Sequence, residues 1–117
     1  MSLQTVFATI PTLFLMLTSC TSQNSVEFLC FQECPNTPEL RGRLVEADSS
    51  LEIIDVNLMS LDGGDSRLGW GAPTILVDGE DLFGLQASEH GSVSCRNWSA
   101  GLPEVDDIRL AMKNNDK

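Results

Sequence analysis

The chain has 117 residues and a formal net charge of −10, from 17 acidic against 7 basic side chains, which leaves room for a single domain with a modest core. That balance argues against nucleic-acid binding and against direct adsorption to anionic lipid headgroups, both of which need clustered cations. The acids are scattered along the chain, the pattern of a solvated surface.

The first twenty residues carry no charged side chain, and residues 6–17 form an apolar run interrupted by Pro11 and several threonines. This is the length of a signal-peptide core and too short and broken for a comfortable membrane span. It closes on Leu17-Thr18-Ser19-Cys20, which resembles the lipobox of bacterial lipoproteins, in which the cysteine is lipidated and becomes the mature N-terminus. The polar stretch Thr21 to Ser25 suits a tether. The expected layout is a signal peptide over 1–19, a lipidated Cys20 with tether over 20–25, and a domain over 26–117. A plain cleaved signal and an uncleaved anchor helix remain alternatives, since residues 1–5 lack the Lys or Arg of a positive n-region. The first reading places the protein in a bacterial cell envelope, lipid-anchored and facing the periplasm or exterior. Cys30, Cys34 and Cys95 would then remain, an odd number that allows one disulfide and one free thiol but no disulfide framework.

Residues 26–31 are rich in β-branched and aromatic side chains and read as a buried strand. Gln32 to Asn36 breaks it, Thr37 offers an N-cap hydroxyl, Pro38 suits the first helical turn, and Leu40, Leu44, Val45 and Ala47 recur at helical spacing, giving a helix over 39–47. This strand–loop–helix unit sets Cys34, in a loop expected to be exposed, near a helix N-terminus, where unpaired N–H groups and the positive end of the dipole stabilise a thiolate. A second strand over 51–58 follows, parallel to the first because a helix connects them. Residues 59–71, with Asp62-Gly63-Gly64-Asp65 inside, predict a short or degraded helix. A third strand over 72–77 opens at Pro73, Asp78-Gly79 is a two-residue hairpin turn, and residues 80–84 return as a fourth strand. Residues 85–100 read as loop. A last helix begins at Pro103, with Val105, Ile108 and Met112 on its apolar face and Lys113 near its end. The fold class is α/β, β-α-β-(short α)-β-β-α, a small mixed sheet flanked by helices.

That order, with Cys34-Pro35-Asn36-Thr37 after the first strand and Gly71-Ala72-Pro73-Thr74 opening the third, resembles the thioredoxin-like superfamily in its small glutaredoxin-like form, over residues 26–112. Cys-Pro-Asn, Gly-Ala-Pro-Thr-Ile, the Asp-Gly hairpin and Ser94-Cys95-Arg96 together look like a set of small bacterial thioredoxin-like proteins. The resemblance implies a cis Ala72–Pro73 bond facing the Cys34 sulfur. Thr37 stands where thioredoxins carry the second cysteine of Cys-x-x-Cys, so the pattern is closer to monothiol glutaredoxins and excludes a dithiol cycle within this loop. Protein or small-molecule thiols are the implied partners. The eroded helix over 59–71 removes surface that such families use for glutathione.

On this reading Cys34 attacks or holds a mixed disulfide, Thr37 hydrogen-bonds its thiolate and Pro73 shapes the groove. Glu33 and Glu39 oppose the thiolate electrostatically. Cys95 could resolve a bond with Cys34, ligate a soft metal or simply pack. Cys30, inside an apolar strand, reads as a small hydrophobe. Two other functions stay open: Hg(II) or Cu(I) binding by Cys34 and Cys95, with Cys30 as a third thiolate, and a redox-inert interaction module. His90 lies five residues before Cys95 and could add a nitrogen ligand. Asn97-Trp98-Ser99 is a chance-level glycosylation match. No serine-nucleophile motif, phosphate-binding glycine loop or EF-hand spacing is present, so no cofactor is expected.

Overall fold

Strand β1 (Ser25–Cys30) is the centre of the sheet because both of its faces are apolar, with Val26 and Phe28 toward one side and Leu29 toward the other. The computed structural model describes residues 25–89 and 91–115; the expected signal segment, the expected lipidation site Cys20, most of the expected tether and His90 lie outside the described residues. Helix α1 (Thr37–Ala47) connects β1 to β2 (Glu52–Asn57), and the two strands run parallel, in register from Ser25 opposite Glu52 to Cys30 opposite Asn57. Strand β3 (Thr74–Val77) pairs antiparallel with β1 on its other side, Phe28 opposite Ile75, and β4 (Glu80–Asp81) pairs antiparallel with β3. The result is a mixed four-stranded sheet of order β2-β1-β3-β4 with two helices, the second being α2 (Val105–Asn115).

The period of two along the strands divides the core. Val26, Phe28 and Ile75 face Leu40 and Leu44 of α1 and Ile108 of α2, so both helices cover one face. Leu29 and Leu76 face the other way and pack with Cys34, Leu58, Leu68 and Ala72. This second face is roofed by two single turns of 3-10 helix, Leu58–Ser60 and Ser66–Gly69, where the sequence predicted a degraded helix. Each turn starts on a side-chain cap: Asn57 accepts from the Met59 N–H and Asp65 from the Arg67 N–H. Bonds from the Arg67 guanidinium and N–H hold the Asp65 carboxyl at a pKa of about 2.

Two boundaries moved in ways that bear on the site. Helix α1 begins at Thr37 with Asn36 as its cap residue, and the Asn36 side chain makes no capping bond. The Thr37 hydroxyl donates instead to the Phe31 carbonyl at 3.3 Å, so the expected Thr37 cap is replaced by a tie across the loop. Strand β4 stops at Asp81 rather than residue 84, because the Asp81 carboxylate accepts from the Phe83 and Leu85 N–H groups and turns the chain away. The Asp78-Gly79 turn forms as expected, with positive φ at both residues.

The helices are fastened by arginines. Arg43 donates to the carbonyls of Leu102 and Pro103 just before α2, and Arg109 of α2 donates to those of Glu46 and Ala47 at the C-terminal end of α1. Gly42 sits mid-helix in α1, exposed, with open space where a Cβ would stand. Gly42→Ala should therefore raise the unfolding free energy by about 0.5–1 kcal/mol. Equilibrium urea unfolding measures it, and a loss of stability would show an unseen steric demand at that site.

Candidate functional site

The loop after β1 folds tightly under itself. The Cys34 N–H donates to the Phe31 carbonyl at 2.9 Å, and the Thr37 N–H donates to the Cys34 carbonyl at 3.1 Å. This tucks Cys34 inward, where it is 1% exposed among Leu29, Leu58, Leu68, Ala72 and Leu76. The sequence predicted an exposed sulfur; the turn buries it, because the apolar roof of the second sheet face closes over the loop. Glu33 and Pro35 on either side are exposed. Glu39 pairs with Arg43 at 3.0 Å, so part of its opposing charge is neutralised within the helix.

The segment opening β3 lies against this sulfur. The Ala72–Pro73 peptide is cis, as expected, and Pro73 is buried. Gly71 has φ +75°, and a Cβ there would stand 3.0 Å from the Arg96 nitrogen and 3.2 Å from the Ser94 carbonyl oxygen, so glycine is needed for close backbone approach. The approaching chain carries Cys95. The Ala72 N–H donates to the Ser94 carbonyl at 2.9 Å, and the Arg96 N–H donates to the Ala72 carbonyl at 2.7 Å, a parallel bridge that sets Cys95 opposite Ala72. Cys95 is exposed and forms a disulfide with Cys34, their Cα atoms 5.6 Å apart.

Arg96 anchors this segment. Its side chain is 7% exposed, and the guanidinium donates to both oxygens of Asp81, whose side chain is fully buried, at 2.7 and 3.3 Å. It also donates to the Thr74 hydroxyl at 3.2 Å and lies 3.8 Å from the centre of the Trp98 ring, a cation–π contact. The Thr74 hydroxyl in turn donates to the Gly71 carbonyl, and the Trp98 indole N–H donates to the Pro73 carbonyl at 3.1 Å. Phe83 packs edge-on against Trp98. One network thus joins the β3–β4 hairpin, the Gly71–Thr74 segment and the chain on both sides of Cys95.

Cys34 and Cys95 therefore come together at Ala72, the residue before the cis Pro73, while Thr37 is near in sequence but uses its only hydroxyl proton on Phe31. Cys30 stays apart. Its side chain lies on the helix-covered face, and its thiol contacts the Val56 carbonyl oxygen at 3.4 Å. Burial and the nearby Asp55 carboxylate push its pKa up, partly offset by Arg41. It does not join the other two sulfurs as a third thiolate, because period-two alternation sends it to the opposite side of the sheet from Leu29 and Cys34. Among the described residues, no three His, Cys, Asp or Glu side chains are grouped to hold a metal ion.

Sequence reasoning missed the Asp81–Arg96–Trp98 group. One signal was available: Arg96 is the only Lys or Arg between Arg67 and Arg109, in an acidic stretch, and it directly follows a cysteine. Its partner Asp81 carried no such mark, since an acid in a short hairpin strand reads as solvent-facing. No family model, curated protein or solved structure matches the chain.

Proposed function

We propose that the chain is a thioredoxin-like thiol-disulfide protein whose redox pair is Cys34 with Cys95, held at a bacterial envelope membrane by a lipid on Cys20. The strand order β2-β1-β3-β4, with a parallel first pair and an antiparallel third strand, supports the thioredoxin-like reading, as does the cysteine loop opening α1. The observation that carries the redox reading is the placement of the two cysteines: the loop before a helix N-terminus brings Cys34 to an exposed Cys95 that is held against Ala72. A thiolate released on Cys34 would lie close to the N-terminal turn of α1, whose dipole favours negative charge. Protein or small-molecule thiols are its partners, and a net charge of −10 gives nucleic acid no hold.

The test is an equilibrium redox titration of the full chain in dithiol buffers, with thiols alkylated and counted by mass spectrometry. A midpoint within the range of known thiol oxidoreductases, about −120 to −270 mV, is the expected result. A midpoint below about −300 mV would make the bond a structural staple and end the redox reading. The anchor is tested separately: Cys20→Ala should move the protein out of the membrane fraction of a lipoprotein-processing bacterium. Unchanged fractionation would remove the lipid anchor from the proposal.

A further inference from the structure

Resting on the thiol-disulfide reading, we propose that Cys95, and not the helix-proximal Cys34, is the sulfur attacked by an incoming substrate thiolate, Cys34 serving as the buried leaving group. The two sulfurs of the bond differ in access. Cys34 is 1% exposed beneath Leu58, Leu68 and Ala72, whereas Cys95 lies on the surface. Thiol-disulfide exchange requires the attacking sulfur to reach one sulfur of the bond, so access decides which one is taken.

The cover over Cys34 does not depend on the disulfide. Both polar backbone groups of Ala72 are engaged by Ser94 and Arg96, and the Arg96 guanidinium is locked to Asp81, Thr74 and Trp98. When the sulfur–sulfur bond opens, these contacts keep the Cys95 segment on Ala72, and Cys34 stays shielded from anything larger than a small reagent. The same segment holds the Cys95 backbone within reach of Cys34 for reclosure, with the Cα atoms 5.6 Å apart.

The reaction with a dithiol substrate proceeds in two displacements. A substrate thiolate attacks Sγ of Cys95, a new bond joins the two, and the Cys34–Cys95 bond breaks with its electron pair leaving on Sγ of Cys34. The second substrate thiolate then attacks the substrate sulfur of this mixed disulfide, and Cys95 leaves as a thiolate. The substrate ends as a disulfide and the protein pair as a dithiol, the two protons lost by the substrate being balanced by those the pair takes up.

The experiment uses the oxidised full chain and glutathione as probe. Samples are quenched early with acid, then alkylated with N-ethylmaleimide and mapped by fragment ions. Glutathione should be found on Cys95 and maleimide on Cys34, with the Cys95 adduct in at least about tenfold excess over the Cys34 adduct. The urea-unfolded protein, in which access is equal, should lose that bias. Glutathione mainly on Cys34, or shared equally in the folded protein, overturns the order of attack while leaving the redox reading standing. A bond that neither glutathione nor dithiothreitol opens in the folded protein overturns both.

Discussion

Asp81→Ala should cost about 3–5 kcal/mol of folding stability, the range for removing one member of a buried ion pair. The carboxylate is fully buried and takes two bonds from the Arg96 guanidinium and two from the N–H groups of Phe83 and Leu85. Its removal leaves the guanidinium of a side chain that is only 7% exposed with the Thr74 hydroxyl and the Trp98 ring as remaining partners. The N–H groups of Phe83 and Leu85 lose their acceptor as well, but both residues are exposed and water takes its place, so the cost falls on the buried guanidinium. A domain of this size has about 5–15 kcal/mol in total, so the variant should be close to unfolding. Urea unfolding of wild type, Asp81→Ala, Arg96→Met and the double variant Asp81→Leu/Arg96→Met gives the coupling. The double variant should recover much of the loss, because apolar replacement of both partners leaves no buried charge. A single-variant cost below about 1 kcal/mol, the value of an exposed pair, would show that the clamp is solvated.

Reducing the Cys34–Cys95 bond should lower the unfolding free energy by about 4 kcal/mol. The bond closes a loop with a sequence separation of 61, and chain-entropy arguments give about that value for a cross-link of this length. The effect lies in the unfolded chain: reduction restores conformations that the cross-link forbids, while the folded state keeps the backbone bridge at Ala72 and the Arg96 clamp. With a urea dependence of about 2 kcal/mol per molar, the midpoint should fall by about 2 M in a non-thiol phosphine reductant. Cys95→Ser in reductant should show no further drop comparable to this, since the serine is exposed and the segment remains pinned. A midpoint unchanged by reductant would mean that the bond is absent from the folded protein in solution.

The two halves of the site differed in how far local sequence could foretell them. The strand–loop–helix unit and the Asp-Gly hairpin were legible because each is specified by neighbours: apolar alternation, Pro38 in a first turn, a two-residue turn demanding positive φ. The 3-10 turns at Leu58–Ser60 and Ser66–Gly69 were foreseen only as a weakened helix, since Asn57 and Asp65 cap single turns that Asp62-Gly63-Gly64 cannot extend. Cys34 is buried where its loop position alone predicts exposure. The sulfur's surroundings are Leu58, Leu68 and Ala72, which arrive from later in the chain.

By itself the sequence determined the α/β class, the parallel pairing of the first two strands and the position of Cys34 ahead of a helix, the last two being consequences of the single strand–helix–strand stretch from Ser25 to Asn57. Tertiary structure alone decided that Cys34 meets Cys95 and not Cys30, that Thr37 turns to Phe31, and that Arg96 pairs with Asp81. Cys30 and Cys34 are close in the chain but face opposite sides of the sheet, whereas Cys95 reaches Cys34 through an irregular loop whose path is set by two backbone bonds to Ala72. Contacts of that kind depend on where a loop lands on an already formed sheet. No periodicity in the loop's own residues encodes the landing point, because the partner groups on Ala72 are backbone atoms that every residue possesses.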